Sequence, residues 1–396
     1  MNQPPENSLV PPSIEAHRRR GMFFLSLAVA MVGVTMALQQ GLNYNFLWGE
    51  IHIRPDQLGM LEASRESCGI VAFGVLAILA GLAEPLIGAA MLVFMAIGLG
   101  SYAGSHTFTS ILMLSLVWSQ GLHCWMPLPN SMMLALAEPG RAGLRLGQLS
   151  AAGAIGSAVA LAIAIGLLFV GVPLRSLYIV AGGSALLGAM ACAGVPRQIK
   201  TPGPRLVFRR RCRLYFLLCF LDGWRKQIFL TFSNYLLVRT YGTDVKTMLV
   251  LWMTVNFISW WAAPKVGRLI DRIGERRVLV LYFSSVICIC IGYAFIPNVY
   301  ALFGLFVLDS CVFLFNTSLT TYVNRIAPPE EHTATLSMGV AMNHVAAVTM
   351  PIVGGLAWAY IGYQWTFGIG AMAAALSVLA AMRVPRHVPP PVQTRG

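Results

Sequence analysis

The feature that most limits what this 396-residue sequence can become is a row of long apolar runs with short polar gaps. Crossing a hydrocarbon core takes about 20 mostly apolar residues in a helix. Twelve such runs are legible, near 22–47, 57–80, 85–104, 107–136, 146–170, 174–195, 213–237, 245–263, 278–296, 299–325, 334–358 and 363–382. Hydrophobic residues make up 57% of the chain and charged ones 11%. Mean hydropathy is +0.69. A water-soluble domain of this length would carry far more charge, so the sequence predicts an all-α polytopic membrane protein.

The net charge of +13 invites a nucleic-acid reading, but its distribution argues against one. If both termini are cytoplasmic, 21 of the 28 Lys and Arg residues fall on the inner side, four fall outside (Arg54, Arg175, Arg239, Lys246) and three lie within spans. That bias is the positive-inside pattern. The polar, Pro-rich start shows no cleavable signal peptide. The basic stretch from Pro196 to Arg213 divides the spans into two sets of six. The expected organisation is a polar tail at 1–20, a first bundle at 21–195, a linker at 196–212, a second bundle at 213–383 and a tail at 384–396.

The two sets resemble one another, as inverted or parallel repeats do in transporters. The segment from Leu134 to Gly156 aligns without gaps, at an offset of 190, with the segment around Ala327. Ala137-Glu138-Pro139 meets Ala327-Pro328-Pro329. More weakly, "QGLNYNFL" (Gln40 to Leu47) matches "DGWRKQIF" (Asp222 to Phe229) at an offset of 182.

After the eighth run comes "GRLIDRIGERR", in which Gly267, Leu269, Asp271, Arg272, Gly274, Arg276 and Arg277 fit a G-x-L-a-D-r-x-G-r-k pattern and Glu275 departs from it. This resembles the loop between the second and third helices of each half in the major facilitator superfamily. The corresponding "LAGLAEPLIG" of the first half has no Asp and no base. The resemblance implies twelve transmembrane helices as two pseudo-symmetric six-helix bundles. It also implies that Asp271 docks on the N-terminus of the fifth span, near Leu146, where the helix dipole favours an anion. On the plainer reading these charges only set topology.

Ionisable residues inside a bilayer are costly and mark function by default. Here they are Glu62, Arg65 and Glu66 in span two, Asp222, Arg225 and Lys226 beside Gln227 in span seven, and Asp309 with Asn316 in span ten. His123 lies in span four, His344 in span eleven and Asn43 in span one. Glu62, Arg65 and Glu66 share one helix face by spacing, as do Asp222, Arg225 and Lys226. Spans three, six, nine and twelve carry no interior charge. The superfamily pattern assigns the first, fourth, seventh and tenth helices to a central cavity, and the polar residues follow that division. The twelve named residues are thus the candidates for a substrate cavity or gate. Pure stapling of helices by charge pairs is the competing reading. Glu62, Glu66, Asp222, Asp309, His123 and His344 are the candidates for proton coupling.

The eight cysteines sit in apolar runs without a CxxC pair and read as buried thiols. No phosphate-cradling loop, nucleophilic triad or metal-spaced His/Cys set is present, so no cofactor, metal or enzymatic role is expected. "MPIVGG" (Met350 to Gly355) resembles an antiporter Pro-Gly motif but lies in span eleven, where close helix packing explains it. The expectation is a monomeric secondary transporter in the bacterial inner membrane, with lipid, a small solute and protons as its partners. Arg65, Arg225 and Lys226 lean towards an organic anion. A drug exporter of the same superfamily and a non-transporting receptor are the alternatives.

Overall fold

In the computed structural model, residues 12–138, 140–200, 208–328 and 331–385 are described. Among them the chain is helical, with one isolated β-bridge between Ala83 and Lys200. The helices are α1 (Pro12–Gly49), α2 (Pro55–Ile78), α3 (Glu84–Gly100), α4 (Phe108–Trp125), α5 (Leu128–Leu136), α6 (Ala142–Phe169), α7 (Leu174–Ala193), α8 (Arg213–Gln227), α9 (Asn234–Arg239), α10 (Val245–Ile273), α11 (Glu275–Phe295), α12 (Val299–Phe313), α13 (Thr317–Ile326), α14 (His332–Ile361) and α15 (Tyr363–Ala381). Three pairs each form one rod: α4 with α5, α8 with α9, and α12 with α13. That gives twelve rods for the twelve apolar runs. Nine helical segments of the described residues are long and apolar enough to cross a membrane. The other three rods, α2, α8–α9 and α10, are those with charge or polar residues along their length.

Rod ends are set by local chemistry. Pro55 opens α2 where its missing N–H costs nothing. On the face away from the termini, Thr107, Asp244 and Asn298 cap α4, α10 and α12 by accepting from backbone N–H groups at 3.1–3.2 Å. The two halves repeat the same packing. The first rod lies against the fifth and sixth, the third against the fourth and sixth, and the second against the fourth. In the second half the seventh lies against the eleventh and twelfth, the ninth against the tenth and twelfth, and the eighth against the tenth. The halves meet where α2 packs on α14 and where α10 packs on α6 and α1.

Three departures from the sequence reading matter. The motif after span eight is not a loop: α10 continues through Gly267 and Asp271 to Ile273. Charge ended the apolar run without ending the helix, and only Gly274, at φ 81 and ψ 156, turns the chain into α11. That backbone region is open essentially to glycine alone. Span seven is not a regular helix either, since Ile228–Ser233 form a π turn between α8 and α9. Spans four and ten break at Met126–Pro127 and at Leu314–Asn316.

Glu275, the residue that departs from the motif, has a structural partner. It begins α11, is buried, and pairs with Arg325 of α13 at 3.0 Å. The first half repeats this with Glu84, buried at the start of α3, which accepts from Ser131 of α5 at 2.7 Å. Each acid sits at a helix N-terminus, where the dipole stabilises it.

Candidate functional site

A cavity of about 380 Å³ lies between the halves. Its wall comes from α1 (Gln39, Gln40, Asn43, Tyr44), α2 (Glu62, Arg65, Glu66), α4 (Trp118, Ser119, His123), α8 (Gln227) and α10 (Trp252). Arg65 is fixed on three sides. Its guanidinium donates to Glu62 at 2.6 Å. Its flat face lies 4.3 Å over the Trp118 ring. Its backbone carbonyl accepts from the Ser119 hydroxyl at 2.8 Å. Trp118 is in turn anchored by donating to the Tyr102 hydroxyl at 3.1 Å. A stacked, paired guanidinium of this kind is preorganised.

Three polar atoms on this wall are buried with no partner: Asn43 Oδ1, Gln227 Nε2 and Trp252 Nε1. Gln227 uses its other amide atom, Oε1, to accept from Thr231 at 3.1 Å. An unpaired buried polar group costs about 1–3 kcal/mol, so one acceptor and two donors beside this cavity stay unpaired in this conformation.

The remaining sequence candidates fall into two further places. Asp222, Arg225, Asp309 and Asn316 lie inside the second bundle rather than on the cavity wall. Arg225 and Asp309 are each 2% exposed and pair directly. Asp222, despite sharing a helix face with Arg225, takes hydrogen bonds from Tyr282 and Asn316, both at 2.6 Å. Aromatic rings of Phe229, Tyr282 and Phe313 surround the guanidinium of Arg225 at 5.1–5.8 Å. Helical spacing puts Glu62 and Arg65 on one face, where they pair, and Asp222 and Arg225 on another, where they do not, because their partners Tyr282, Asn316 and Asp309 come from elsewhere in the second bundle. Tyr282 was missed for the same reason: span nine carries no charge and gave no signal.

The third place is the seam between halves. Lys226 reaches Glu66 at 3.7 Å, and Glu66 also meets His344 Nδ1 at 2.9 Å. The rings of His123 and His344 lie 4.9 Å apart.

Side chains join the halves on the face opposite the termini. The Tyr44 hydroxyl donates to the Leu230 carbonyl at 2.6 Å, a carbonyl within the π turn. Asn45 donates to the Thr243 carbonyl at 2.8 Å, and Tyr235 to the Ile53 carbonyl at 2.5 Å. Lys246 lies over the Phe169 ring at 4.2 Å. At the terminal face, among the described residues, no ion pair joins the two bundles: Glu138 pairs with Arg145 in the first, Glu275 with Arg325 in the second, and Glu331 of the second with Arg209 and Arg211 of the linker. The Arg145 guanidinium beside Glu138 holds that carboxyl down at about 2. Asp271 is exposed and has no hydrogen bond or ion pair among the described residues. Arg145 is engaged by Glu138 and Gln148 instead. In this conformation the dock between Asp271 and the start of α6 is open.

The family model of the Major Facilitator Superfamily matches residues 214–396. Solved structures extend the likeness over both halves. A variant of the nucleoside transporter NupG shares 15% identity at a TM-score of 0.77, covering 91% of this chain and 98% of its own. A bacterial homologue of the human lysosomal transporter Spinster, inward-facing and occupied, shares 12% at 0.71, covering 93% and 97%. A D-xylose-proton symporter shares 13% at 0.70, covering 92% and 97%. No curated relative matches the sequence. The second half of the chain thus carries the sequence pattern of the major facilitator superfamily, and both halves share the fold of these solved transporters.

Proposed function

We propose that this protein is a secondary transporter for a small polar solute, working by alternating access as two bundles rock about the Arg65 cavity. The observation that carries the reading is the set of unpartnered polar atoms on Asn43, Gln227 and Trp252 around a space of about 380 Å³. That volume suits a small solute. The charges that reach the cavity compensate one another. Arg65 is matched by Glu62 and Lys226 by Glu66, while Arg225 is spent on Asp309 inside the second bundle. A neutral or zwitterionic solute therefore fits better than the organic anion that the count of bases favoured. Nucleosides and D-xylose, the solutes named for two of the similar structures, are polar and uncharged and support the same class.

The structure resembles a state closed on the far face and open at the terminal face. The inner-side excess of Lys and Arg supports a plasma-membrane protein with both termini cytoplasmic. Proton coupling is assigned to the seam, where Glu66 and His344 share a hydrogen bond across the two halves. A proton arriving there changes the charge balance against Lys226 as the halves separate.

The test is a thermal-shift screen of the purified protein against neutral, zwitterionic and anionic solutes, followed by proteoliposome flux. Stabilising solutes should lose their effect in Arg65→Ala and Asn43→Ala. Equal stabilisation of the wild type and both variants overturns the site. Flux that ignores an imposed pH gradient overturns the coupling.

A further inference from the structure

We infer that Glu66, His123 and His344 form a binding site for a divalent transition metal of the zinc class, spanning the seam between the two bundles. The three residues come from α2, α4 and α14, so two ligands belong to the first half and one to the second. Each offers one donor atom, and these atoms lie within 4.8 Å of one another. Two imidazoles and one carboxylate, with a fourth position left open, form a recurrent zinc ligand set. The borderline-soft nitrogens exclude magnesium and calcium, which demand oxygen cages.

The surroundings prepare these ligands. His123 Nδ1 lies 2.8 Å from the Ser119 carbonyl, an acceptor, so this nitrogen carries the proton and Nε2 keeps its lone pair. A hydrogen bond at the other ring nitrogen is what holds a ligating histidine in the right orientation at a metal. His344 rests directly on Gly69: a Cβ added there would lie 2.5 Å from its Nδ1. The two rings meet at 72°, edge to face, rather than stacked. Zinc–nitrogen bonds are about 2.0–2.1 Å, so the donors must draw inward on binding.

The charged groups facing the site set its condition. Lys226 of α8 reaches Glu66 at 3.7 Å and is the resident cation. Arg65, next to Glu66 in the chain, is paired with Glu62 at 2.6 Å. An incoming metal must therefore displace the Lys226 ammonium from Glu66, and metal and lysine compete for one carboxylate. The site does not depend on which solute is carried, and its test needs no transport.

The experiment is titration of the full-length purified protein with Co²⁺, read by the visible ligand-field absorption of a four-coordinate nitrogen/oxygen site and by thermal shift. The expected result is one ion per chain, displaced by Zn²⁺, with a raised melting temperature. His123→Gln and His344→Gln should each abolish the band. Lys226→Met should tighten binding by about tenfold or more, since it removes a positive charge beside a divalent ion. A wild type without the band overturns the site, as does a band that survives in the His123→Gln/His344→Gln double variant. Should the histidine variants fail to fold, equal Co²⁺ affinity in wild type and Lys226→Met overturns it independently.

Discussion

Replacing Gly59 by leucine should force open the face that is closed here. A Cβ at Gly59 would sit 2.2 Å from the Pro351 carbonyl oxygen and 3.2 Å from the Gly355 Cα. A Cβ at Gly355 would likewise sit 2.5 Å from the Pro55 carbonyl oxygen. These are backbone atoms, so no side chain can turn aside, and α2 and α14 must part at this end. Overpacking of a tight contact costs about 1–3 kcal/mol. Because the strain exists only while this face is closed, it moves the equilibrium towards the opposite opening by roughly 5- to 150-fold. Leu249→Cys provides the reporter: Leu249 is fully buried and lies against Gly41 of the other half. Cys288 and Cys311, the thiols that are not buried, are first replaced by serine. A membrane-impermeant maleimide applied from the far face should then label Leu249→Cys about 5–150 times faster in the Gly59→Leu variant. Gly74→Leu is the control, because a Cβ there meets nothing within 4 Å on the same helix. Equal labelling in all three proteins, each still folded, would refute the assignment of α2 and α14 as a gate.

Other consequences are simpler to state. Arg225→Met strands the buried Asp309 carboxylate, at a cost of about 3–5 kcal/mol, and should lower the melting temperature sharply. The double variant Arg225→Met/Asp309→Leu should recover much of that loss, and equal losses in single and double would show that the pair is not coupled. For Glu138 the folded value, about 2, lies below the ordinary 4.5. Its stabilisation is therefore present above about pH 4.5 and disappears as pH falls towards 2. Any melting-temperature gap between wild type and Arg145→Gln should close over that window. Asp271→Asn should leave the melting temperature of the state described here unchanged, since Asp271 has no hydrogen bond or ion pair among the described residues. It should slow transport roughly fivefold if the lost dipole contact is worth about 1 kcal/mol, as read from proteoliposome flux.

Much of the architecture was legible because hydrocarbon enforces it. A chain with no water to bond its backbone must form helices, so apolar length located nine of the rods outright, while α2, α8–α9 and α10 carry charge within shorter apolar stretches. Helix ends were less legible where charge and geometry part company. The Arg268 and Arg272 side chains end the membrane run, yet they continue the helix as far as Gly274. The π turn had no compositional signature at all. It is accompanied by side chains bonding back to freed carbonyls, Ser233 to Phe229 at 2.5 Å and Asn234 to Leu230 at 3.0 Å, and such turns are frequent at functional sites. At the site, spacing gave which residues share a helix face, such as Glu62 and Arg65, but not which of them pair. Groupings that cross the chain could not. Glu66, His123 and His344 are separated by 57 and 221 residues, and only the folding of two bundles against each other brings them together. Asp222 and Arg225 illustrate the converse: adjacency on a helix face did not decide their partners, because Tyr282, Asn316 and Asp309 offered better-placed ones.

The claim on which the account rests is that the far face must open for solute to cross. Asn45→Cys and Thr243→Cys place thiols on the two halves where Asn45 now donates to the Thr243 carbonyl. The pair is joined with a short, reducible bifunctional crosslinker in proteoliposomes. Flux of a solute found in the screen is measured before and after reduction. The account predicts that crosslinking stops flux while leaving solute binding intact, and that reduction restores it. Full-rate transport by the crosslinked protein would contradict it.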